Sequence, residues 1–268
     1  MGRTSHAMRP ASCPGRQRTT ASLLLLAILS AAQLSACEAN GDSDTATRPE
    51  HGHATGRVVD TRGRPIAGAR VYLDNTVFHA SHMQATTGED GSYRLKLYPG
   101  AWLATAKFRT DYNGRTYELE LHPENGDSFD DGGAVRDFTW KLEGRSPLSE
   151  YRYYGGFILV FTANGFYEDM DAVELTLTPD GPLIDGSEGD TLRLRFGDRH
   201  WVQYGHVEDI PIGRYQVTAT LDTEAGPRPL RIQDYHTHGE FQSRFQLDFL
   251  PESTVSPREN SAAIAIGW

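Results

Sequence analysis

Cysteine, positive charge and long apolar runs are all scarce in this chain of 268 residues. The two cysteines, Cys13 and Cys37, are too few for a disulfide framework or a cysteine-rich metal site. Lys and Arg number 26 against 36 Asp and Glu, so the net charge is −10. Because affinity for nucleic acid comes largely from neutralising phosphates, this charge argues for no nucleic-acid partner. No apolar run reaches the ~20 residues of a membrane-spanning helix.

Sequence motifs of common enzyme classes are missing as well. The chain has no Gly-x-Ser-x-Gly nucleophile motif, no phosphate-binding loop and no dinucleotide fingerprint. Neighbouring carboxylates such as Glu168/Asp169 and Glu208/Asp209 could in principle cleave sugars. Adjacent residues of a strand point to opposite faces, however, so neither pair flanks one bond unless the strand contains a bulge. We therefore predict a protein that is not an enzyme and carries no cofactor.

What is present begins with an N-terminal targeting pattern. Residues 1–36 contain four Arg and no acidic residue, and an apolar run at 23–29 is followed by small residues up to Cys37. Positive, apolar and small residues in that order are typical of a secretory signal peptide. Leu34-Ser35-Ala36-Cys37 resembles the lipobox of bacterial lipoproteins, and the resemblance implies cleavage before Cys37 and acylation of that residue. An ordinary signal peptide followed by an incidental cysteine is the alternative.

The next segment is predicted to connect the lipid anchor to the folded part. Residues 38–52 contain no large apolar side chain, so they cannot offset the entropy cost of ordering. We assign residues 37–52 to the lipidated cysteine and a flexible tether with a mean reach of about 20 Å. Acyl chains on Cys37 would hold the protein to a membrane. Glu38 favours the outer over the inner membrane in the enteric sorting pattern, so we expect a periplasmic or surface-facing location in the cell envelope.

The first folded unit is predicted over residues 53–145. Apolar side chains alternate with polar ones at Tyr93, Leu95 and Leu97, and the same alternation continues from Trp102 to Phe108. A period of two residues is typical of β-strands. Short strands separated by Gly-rich turns predict an all-β sandwich.

Part of this unit resembles a known family. The segments that carry the resemblance are 56–60, 63–71 and 86–93, followed by Pro99-Gly100 and an alternating strand. They are similar to the carboxypeptidase regulatory-like domain, which implies a seven-stranded sandwich of the prealbumin (transthyretin-like) type. In metallocarboxypeptidases this module accompanies a zinc peptidase domain with a His-x-x-Glu motif. None of the ten histidines here has Glu three residues later, so we predict the module without the enzyme.

A second unit is predicted over residues 150–268. A continuous apolar run at 156–161 has the length of a buried strand, and alternate apolar side chains from Tyr215 to Leu221 form one face of another. The Pro-x-Gly entry at 211–213 is similar to the entry of the alternating strand in the first unit. The segment 144–151 is the predicted linker. The predicted fold class is therefore all-β, with two β-sandwich domains in tandem.

Sugar binding is one hypothesis that the aromatic residues support. β-Sandwich modules bind glycans by placing flat rings against sugar faces, while polar neighbours hold the hydroxyl groups. A mixed aromatic and polar segment at 200–206, with one further tyrosine, supplies the predicted ligand-binding residues Trp201, Tyr204, His200, His206 and Tyr167. Tyr151, Tyr153 and Tyr154 are further candidates, and the alternative for all of them is ordinary core or edge packing.

The sequence offers weaker candidates for metal-binding sites. Close pairs of imidazoles suit zinc or copper, and the chain has such pairs at His51/His53, His79/His82 and His236/His238. The acidic loops 125–132 and 185–190 present oxygen atoms of the kind that Ca²⁺ prefers. We expect solvated turns at all of these positions and predict no metal ligand.

These observations together predict a lipoprotein of the bacterial cell envelope that acts as a non-catalytic binding or interaction module. Its partners would be the membrane, through the lipid anchor, and a glycan or an envelope protein. The first alternative is a carbohydrate-binding module for glycan or peptidoglycan. The second is an accessory component of a metal-dependent hydrolase, which would need His and Asp side chains brought together by the fold.

Overall fold

The computed structural model describes residues 48–78, 81–201, 203, 205–256 and 258–268. The predicted signal peptide, Cys37 and most of the predicted tether lie outside these residues, as do His79 and Tyr204. Within the described ranges, helical structure never reaches the length and apolar character needed to cross a membrane.

Strands dominate the described part of the chain, with one 3₁₀ turn at Met170–Ala172. The strands before residue 140 are β1 (His53–Val59), β2 (Arg70–Asn75), β3 (His82–Thr86), β4 (Ser92–Lys96), β5 (Ala101–Tyr112), β6 (Arg115–Glu120), β7 (His122–Pro123), β8 (Phe129–Asp130), β9 (Ala134–Val135) and β10 (Phe138–Thr139). The later strands are β11 (Gly156–Thr162), β12 (Val173–Pro179), β13 (Leu192–Arg195), β14 (His206–Ile210), β15 (Arg214–Leu221), β16 (Arg228–Asp234), β17 (Phe245–Asp248) and β18 (Ser261–Gly267).

The strands β1 to β10 form two five-stranded sheets. In one sheet the order is β4-β1-β10-β7, and β9 pairs with β1 in parallel. In the other the order is β3-β2-β5-β6, and β8 pairs with β5. Phe108 of β5 packs edge-on against Trp140, with 4.8 Å between the ring centroids. Because Trp140 directly follows β10, this contact joins the cores of the two sheets, as in a sandwich.

The strands β11 to β18 form a third sheet in the order β13-β12-β15-β16-β18-β11-β14, with β17 paired to β15. Residues 228–230 of β16 pair with β15, whereas residues 231–234 pair with β18, so β16 connects the two halves of this sheet. β15 buries every second side chain, from Tyr215 to Leu221. Each large apolar side chain buried in this way contributes about 1.5–3 kcal/mol to stability.

The prediction of an all-β protein built from sandwiched sheets is confirmed. The division into domains at 53–145 and 150–268 stays a prediction. The change from the first two sheets to the third occurs between β10 and β11, and residues 45–268 form one compact unit. Hydrogen bonds join the two halves: the Tyr117 hydroxyl donates to the Phe249 carbonyl at 2.7 Å, and the Tyr112 hydroxyl donates to the Pro182 carbonyl at 2.8 Å.

Candidate functional site

A cleft of about 410 Å³ lies beside the outward side chains of β5 and β6. Three parts of the chain line it: these two strands, the segment between β10 and β11, and the third sheet. The side chains that define its chemistry are Lys107, Glu120, Tyr151, Arg152, Asp209 and Arg258. Charges of both signs and an aromatic ring therefore face one space.

A second cavity of about 260 Å³ continues the cleft along β5. Both cavities are lined by Lys107, Glu120 and Arg152, so these charged side chains mark where they meet. Beyond them the lining becomes apolar, with Leu103, Leu121 and Leu148. The combined groove thus has a charged and aromatic part and an apolar part.

The segment predicted as a linker builds one wall of the cleft. It folds back on itself in a hairpin, which we define as residues 144–155. The Ser146 N–H donates to the Arg152 carbonyl at 2.8 Å, and the Tyr154 N–H donates to the Gly144 carbonyl at 3.0 Å. This hairpin places the side chains of Tyr151 and Arg152 in the cleft.

Asp209 holds both ends of the hairpin. Its carboxylate accepts the N–H of Gly144 at 2.8 Å and the N–H of Gly155 at 3.2 Å. The residue is buried, and burial raises the pKa of its carboxyl above the ordinary value, although the two backbone donors partly offset this effect. Asp209 therefore acts as a buried acceptor that fixes the hairpin against β14.

A β-bulge explains how Asp209 reaches the hairpin. Asp209 has a φ of 61°, and the register between β11 and β14 shifts at this point. The neighbouring carboxylate, Glu208, accepts a hydrogen bond from Arg258 at 2.8 Å. Two adjacent carboxylates of a strand can flank one bond only where the strand contains a bulge, and this strand does contain one. Both carboxylates nevertheless have partners of their own.

The opposite wall carries a charge network on β5 and β6. Lys107 Nζ lies 3.9 Å from Glu118 and 4.0 Å from Glu120. Arg152 of the hairpin also pairs with Glu120, which links the hairpin to β6 across the cleft. Burial opposes the charge of Glu118, but the hydrogen bond from Arg109 and the charge of Arg70, with further cations nearby, lower its pKa overall. Both glutamates are thus held in place by ion pairs with cations.

β11 and the loop that precedes β18 add a cation beside an aromatic ring and a buried amide. The Arg258 guanidinium lies 4.4 Å from the centroid of the Phe157 ring. Asn260 has a φ of 53°, and its Oδ1 is buried without a hydrogen-bond partner among the described residues. Arg258, Phe157 and Asn260 all line the cleft.

The tyrosines of the hairpin differ in exposure. Tyr151 is 77% exposed, whereas Tyr154 is buried and its hydroxyl lies 3.0 Å from His122 Nδ1. Burial raises the pKa of Tyr154 to about 12, and burial also lowers the pKa of His122. Arg145 donates to the Tyr153 hydroxyl at 2.8 Å. Tyr151 is therefore the hairpin ring that is open to a ligand.

The structure corrects the expected role of Trp201 and His200. Trp201 is fully buried, and its ring packs 6.5 Å from that of Phe196. His200 is also buried, and its Nδ1 donates to the Glu208 carbonyl at 3.0 Å. A sugar cannot stack on a ring that is enclosed by protein, so the prediction of these two residues as an exposed platform is wrong for this structure.

The other predicted ligand residues are separate from the cleft. His206 is half-buried behind the cleft residue Phe157, at 5.2 Å between ring centroids. Tyr167 is 92% exposed but lines neither cavity. Tyr204 lies outside the described residues. The structure therefore does not bring the described members of the predicted set together at the cleft.

The acidic loops use their side chains within the protein. Asp130 accepts the N–H of Gly132 at 2.9 Å, and Asn125 accepts the N–H of Asp127 at 2.8 Å. Asp185 accepts a hydrogen bond from Thr61 at 2.7 Å, which joins the two halves of the chain. A search of the described residues finds no group of three or more His, Cys, Asp or Glu that could hold a metal ion.

Comparison with known proteins identifies one domain. Residues 54–129 match the family model of the carboxypeptidase regulatory-like domain, which confirms this part of the sequence prediction. None of the curated proteins compared with the chain matches it.

Similar solved structures include the TIE protein of Bacillus anthracis, at 13% identity and a TM-score of 0.30. That alignment covers 80% of this chain and 32% of the other, so the chain spans about a third of the length of that protein. A DUF3823 family protein from Bacteroides ovatus aligns at 11% identity and a TM-score of 0.22, covering 73% of this chain and 98% of the other. The C-terminal fragment of the pilus adhesin SpaC from Lactobacillus rhamnosus GG aligns at 10% identity and a TM-score of 0.24, covering 81% and 96%.

Proposed function

We propose that this chain is a non-catalytic binding module of the bacterial cell envelope, held to a membrane through acylated Cys37. The observation that carries the binding role is the cleft formed by β5, β6, the hairpin and the third sheet. It combines donors, acceptors and an exposed ring in one space, which is what recognition of a polar ligand requires. Anchoring at Cys37 is supported by the lipobox-like sequence that precedes the folded part.

The positions of the carboxylates favour binding over catalysis. A general acid needs a carboxyl with a raised pKa that can reach the substrate. Asp209 has the raised pKa, but its oxygens accept hydrogen bonds from Gly144 and Gly155. Glu118 and Glu120 are paired with cations, and the pKa of Glu118 is lowered by the hydrogen bond from Arg109 and the nearby positive charges. These groups position the walls of the cleft.

A carbohydrate is the second, more specific candidate. The exposed ring of Tyr151 lies beside Arg152 and Glu120, and all three line the cleft. A flat ring flanked by charged donors and acceptors suits the apolar face and the hydroxyl groups of a sugar. The cleft thus offers the combination that the sequence analysis sought at Trp201.

Anchoring is tested by growing cells with a clickable palmitate analogue and recovering the full chain. The expected result is labelled protein in the membrane fraction and no label on Cys37→Ser. Unlabelled wild-type protein that diffuses freely would disprove the anchor.

Binding without turnover is tested by incubating the purified chain with peptidoglycan and with a panel of envelope polysaccharides. We expect co-sedimentation or array binding, with no release of soluble fragments or new reducing ends over a long incubation. Steady release of fragments that requires the purified chain would overturn the non-catalytic assignment. Absence of binding to every glycan would remove the carbohydrate candidate and leave protein partners.

A further inference from the structure

The chain enters its folded part at one identifiable end. The Leu97 N–H donates to the Gly52 carbonyl at 2.8 Å, and Arg94 pairs with Glu50 at 2.6 Å. Residues 50–52 therefore lie beside the last residues of β4. Any membrane anchor that precedes residue 48 is therefore attached at this end of the molecule.

Two loops at the same end expose apolar side chains. We call residues 75–78 and 98–100 the tether-end loops. Val77 is 70% exposed, Phe78 is 64% exposed and Tyr98 is 62% exposed. In the part of the chain that the structure describes, only seven large apolar side chains are exposed, and three of them lie on these loops. Isolated exposed residues are ordinary, but a cluster indicates an interaction surface.

Hydrogen bonds fix the backbone of the first tether-end loop and join it to the start of β5, which directly follows the second loop. Asn75 Oδ1 accepts the N–H of Val77 at 2.9 Å and that of Phe78 at 2.8 Å. The Thr76 N–H donates to the Ala101 carbonyl at 2.9 Å, which joins the first loop to the start of β5. These bonds satisfy the backbone of the first loop while its apolar side chains remain outside the core. The fixed backbone of this loop thus holds its apolar side chains in exposed positions.

We propose that the tether-end loops insert into the lipid surface to which the chain is anchored. This inference rests on the proposed anchoring, because a short tether with a mean reach of about 20 Å keeps this end near the bilayer and makes even weak insertion an intramolecular event. Phenylalanine, valine and tyrosine are side chains that a membrane interface accepts. The molecule is then held in one orientation, with the turn between β3 and β4 pointing away from the lipid.

The charges around the loops show which force drives insertion. Lys96 ends β4 at this end of the molecule, and Asp130 pairs with Ala101 at the start of β5. Opposite charges at the same end, on a chain with a net charge of −10, give no general attraction to anionic lipid. Insertion therefore depends on apolar burial and persists at high salt.

The test uses residues 45–268, which form a compact unit and contain neither of the two cysteines. An N-terminal histidine tag attaches this chain to chelating lipids in vesicles of phosphatidylethanolamine and phosphatidylglycerol. An environment-sensitive fluorophore is placed on Phe78→Cys, and on Glu89→Cys as the matched control in the turn between β3 and β4. Because the tag replaces the acyl anchor, the result does not depend on whether Cys37 is acylated.

We expect nitroxides in the lipid acyl chains to remove most of the emission at residue 78 and little at residue 89. Aqueous iodide should show the reverse, at low and at high salt. Tyr98→Ala should reduce the lipid quenching at residue 78, whereas Tyr151→Ala should leave it unchanged. Quenching of residue 78 by iodide alone would overturn the proposal, since the loop would be in water. Protection from both quenchers would also overturn it, since protein such as a second copy would cover the loop.

Discussion

The tether-end loops and the hairpin both expose aromatic rings, but their surroundings differ. Val77, Phe78 and Tyr98 are exposed on two loops at one end of the molecule. Tyr151 of the hairpin lies in a cleft with Arg152 and Glu120. The first set offers mainly apolar side-chain area, whereas the second offers a ring together with charged donors and acceptors.

This comparison shows that exposure alone does not define the role of an aromatic residue. A ring with apolar neighbours gains most from leaving water altogether, as at a lipid interface. A ring with charged neighbours gains from a ligand that also satisfies those charges.

The largest expected effect on stability comes from removing the carboxylate that attaches the hairpin to β14. Asp209→Ala leaves the N–H groups of Gly144 and Gly155 without their acceptor, and we expect the free energy of unfolding to fall by about 2–4 kcal/mol. Asp209→Asn is the matched control, because it keeps one acceptor oxygen. Urea unfolding of both variants measures the difference. An equal, small loss in the two variants would show that Asp209 does not fix the hairpin.

A smaller effect is expected in the tether-end loops. Asn75→Ala removes the acceptor of two backbone N–H groups that water can partly replace, so we expect a loss of about 1 kcal/mol in stability. Asn75→Asp keeps the acceptor and should be close to the wild type. Thermal unfolding tests stability, and lipid quenching at residue 78 should decrease for the alanine variant only. Unchanged quenching would show that insertion does not need the fixed loop.

The titration of Asp209 gives a pH dependence of known sign. Its folded pKa is raised by burial, so its contribution to stability is present below the ordinary Asp pKa of about 3.9 and is lost as the pH rises through the folded pKa. Relative to Asp209→Asn, the wild type should therefore lose stability as the pH increases above about 4. Urea unfolding across this range measures the difference. Parallel curves for the two proteins would contradict the raised pKa.

The smallest effect on stability is expected at the ion pair that crosses the cleft. Arg152 is largely exposed, and an exposed pair with Glu120 contributes less than about 1 kcal/mol. We expect Arg152→Ala to leave the melting temperature almost unchanged but to weaken ligand binding. Arg193→Ala, which removes an exposed arginine paired with Glu174 away from the cleft, is the control. Equal binding by both variants would exclude Arg152 from the site.

The strands were predictable because they depend on local pattern. The alternation from Tyr215 to Leu221 and from Trp102 to Phe108 appears as alternate burial in β15 and β5. The turn at Gly91 was also visible in the sequence, and its φ of 72° together with the close Val58 carbonyl requires glycine. The two-residue period of the apolar side chains and the glycines of the turns therefore specify the strands and turns of this fold.

The cleft could not be predicted in the same way, because distant segments form it. Lys107 and Arg258 line the same cleft only because the fold brings β5 near the loop before β18, and the sequence pattern does not show that arrangement. The position of Asp209 depends on a bulge and a left-handed φ. Asp adopts such a φ more often than most residues, but this tendency alone does not locate a bulge. Trp201 was misplaced because its polar neighbours suggested exposure, whereas the third sheet encloses the ring. Tyr151, Tyr153 and Tyr154, at the end of the predicted linker and just after it, were the available signal.

The central claim is that the hairpin cleft binds the ligand and the tether-end loops do not. Its most direct test is the dissociation constant of the tightest-binding envelope polysaccharide for Tyr151→Ala and Tyr98→Ala, measured side by side by calorimetry. We expect binding to weaken about tenfold for Tyr151→Ala, equivalent to about 1.4 kcal/mol, and not to change for Tyr98→Ala. Equal constants for the two variants, or a loss only with Tyr98→Ala, would contradict it.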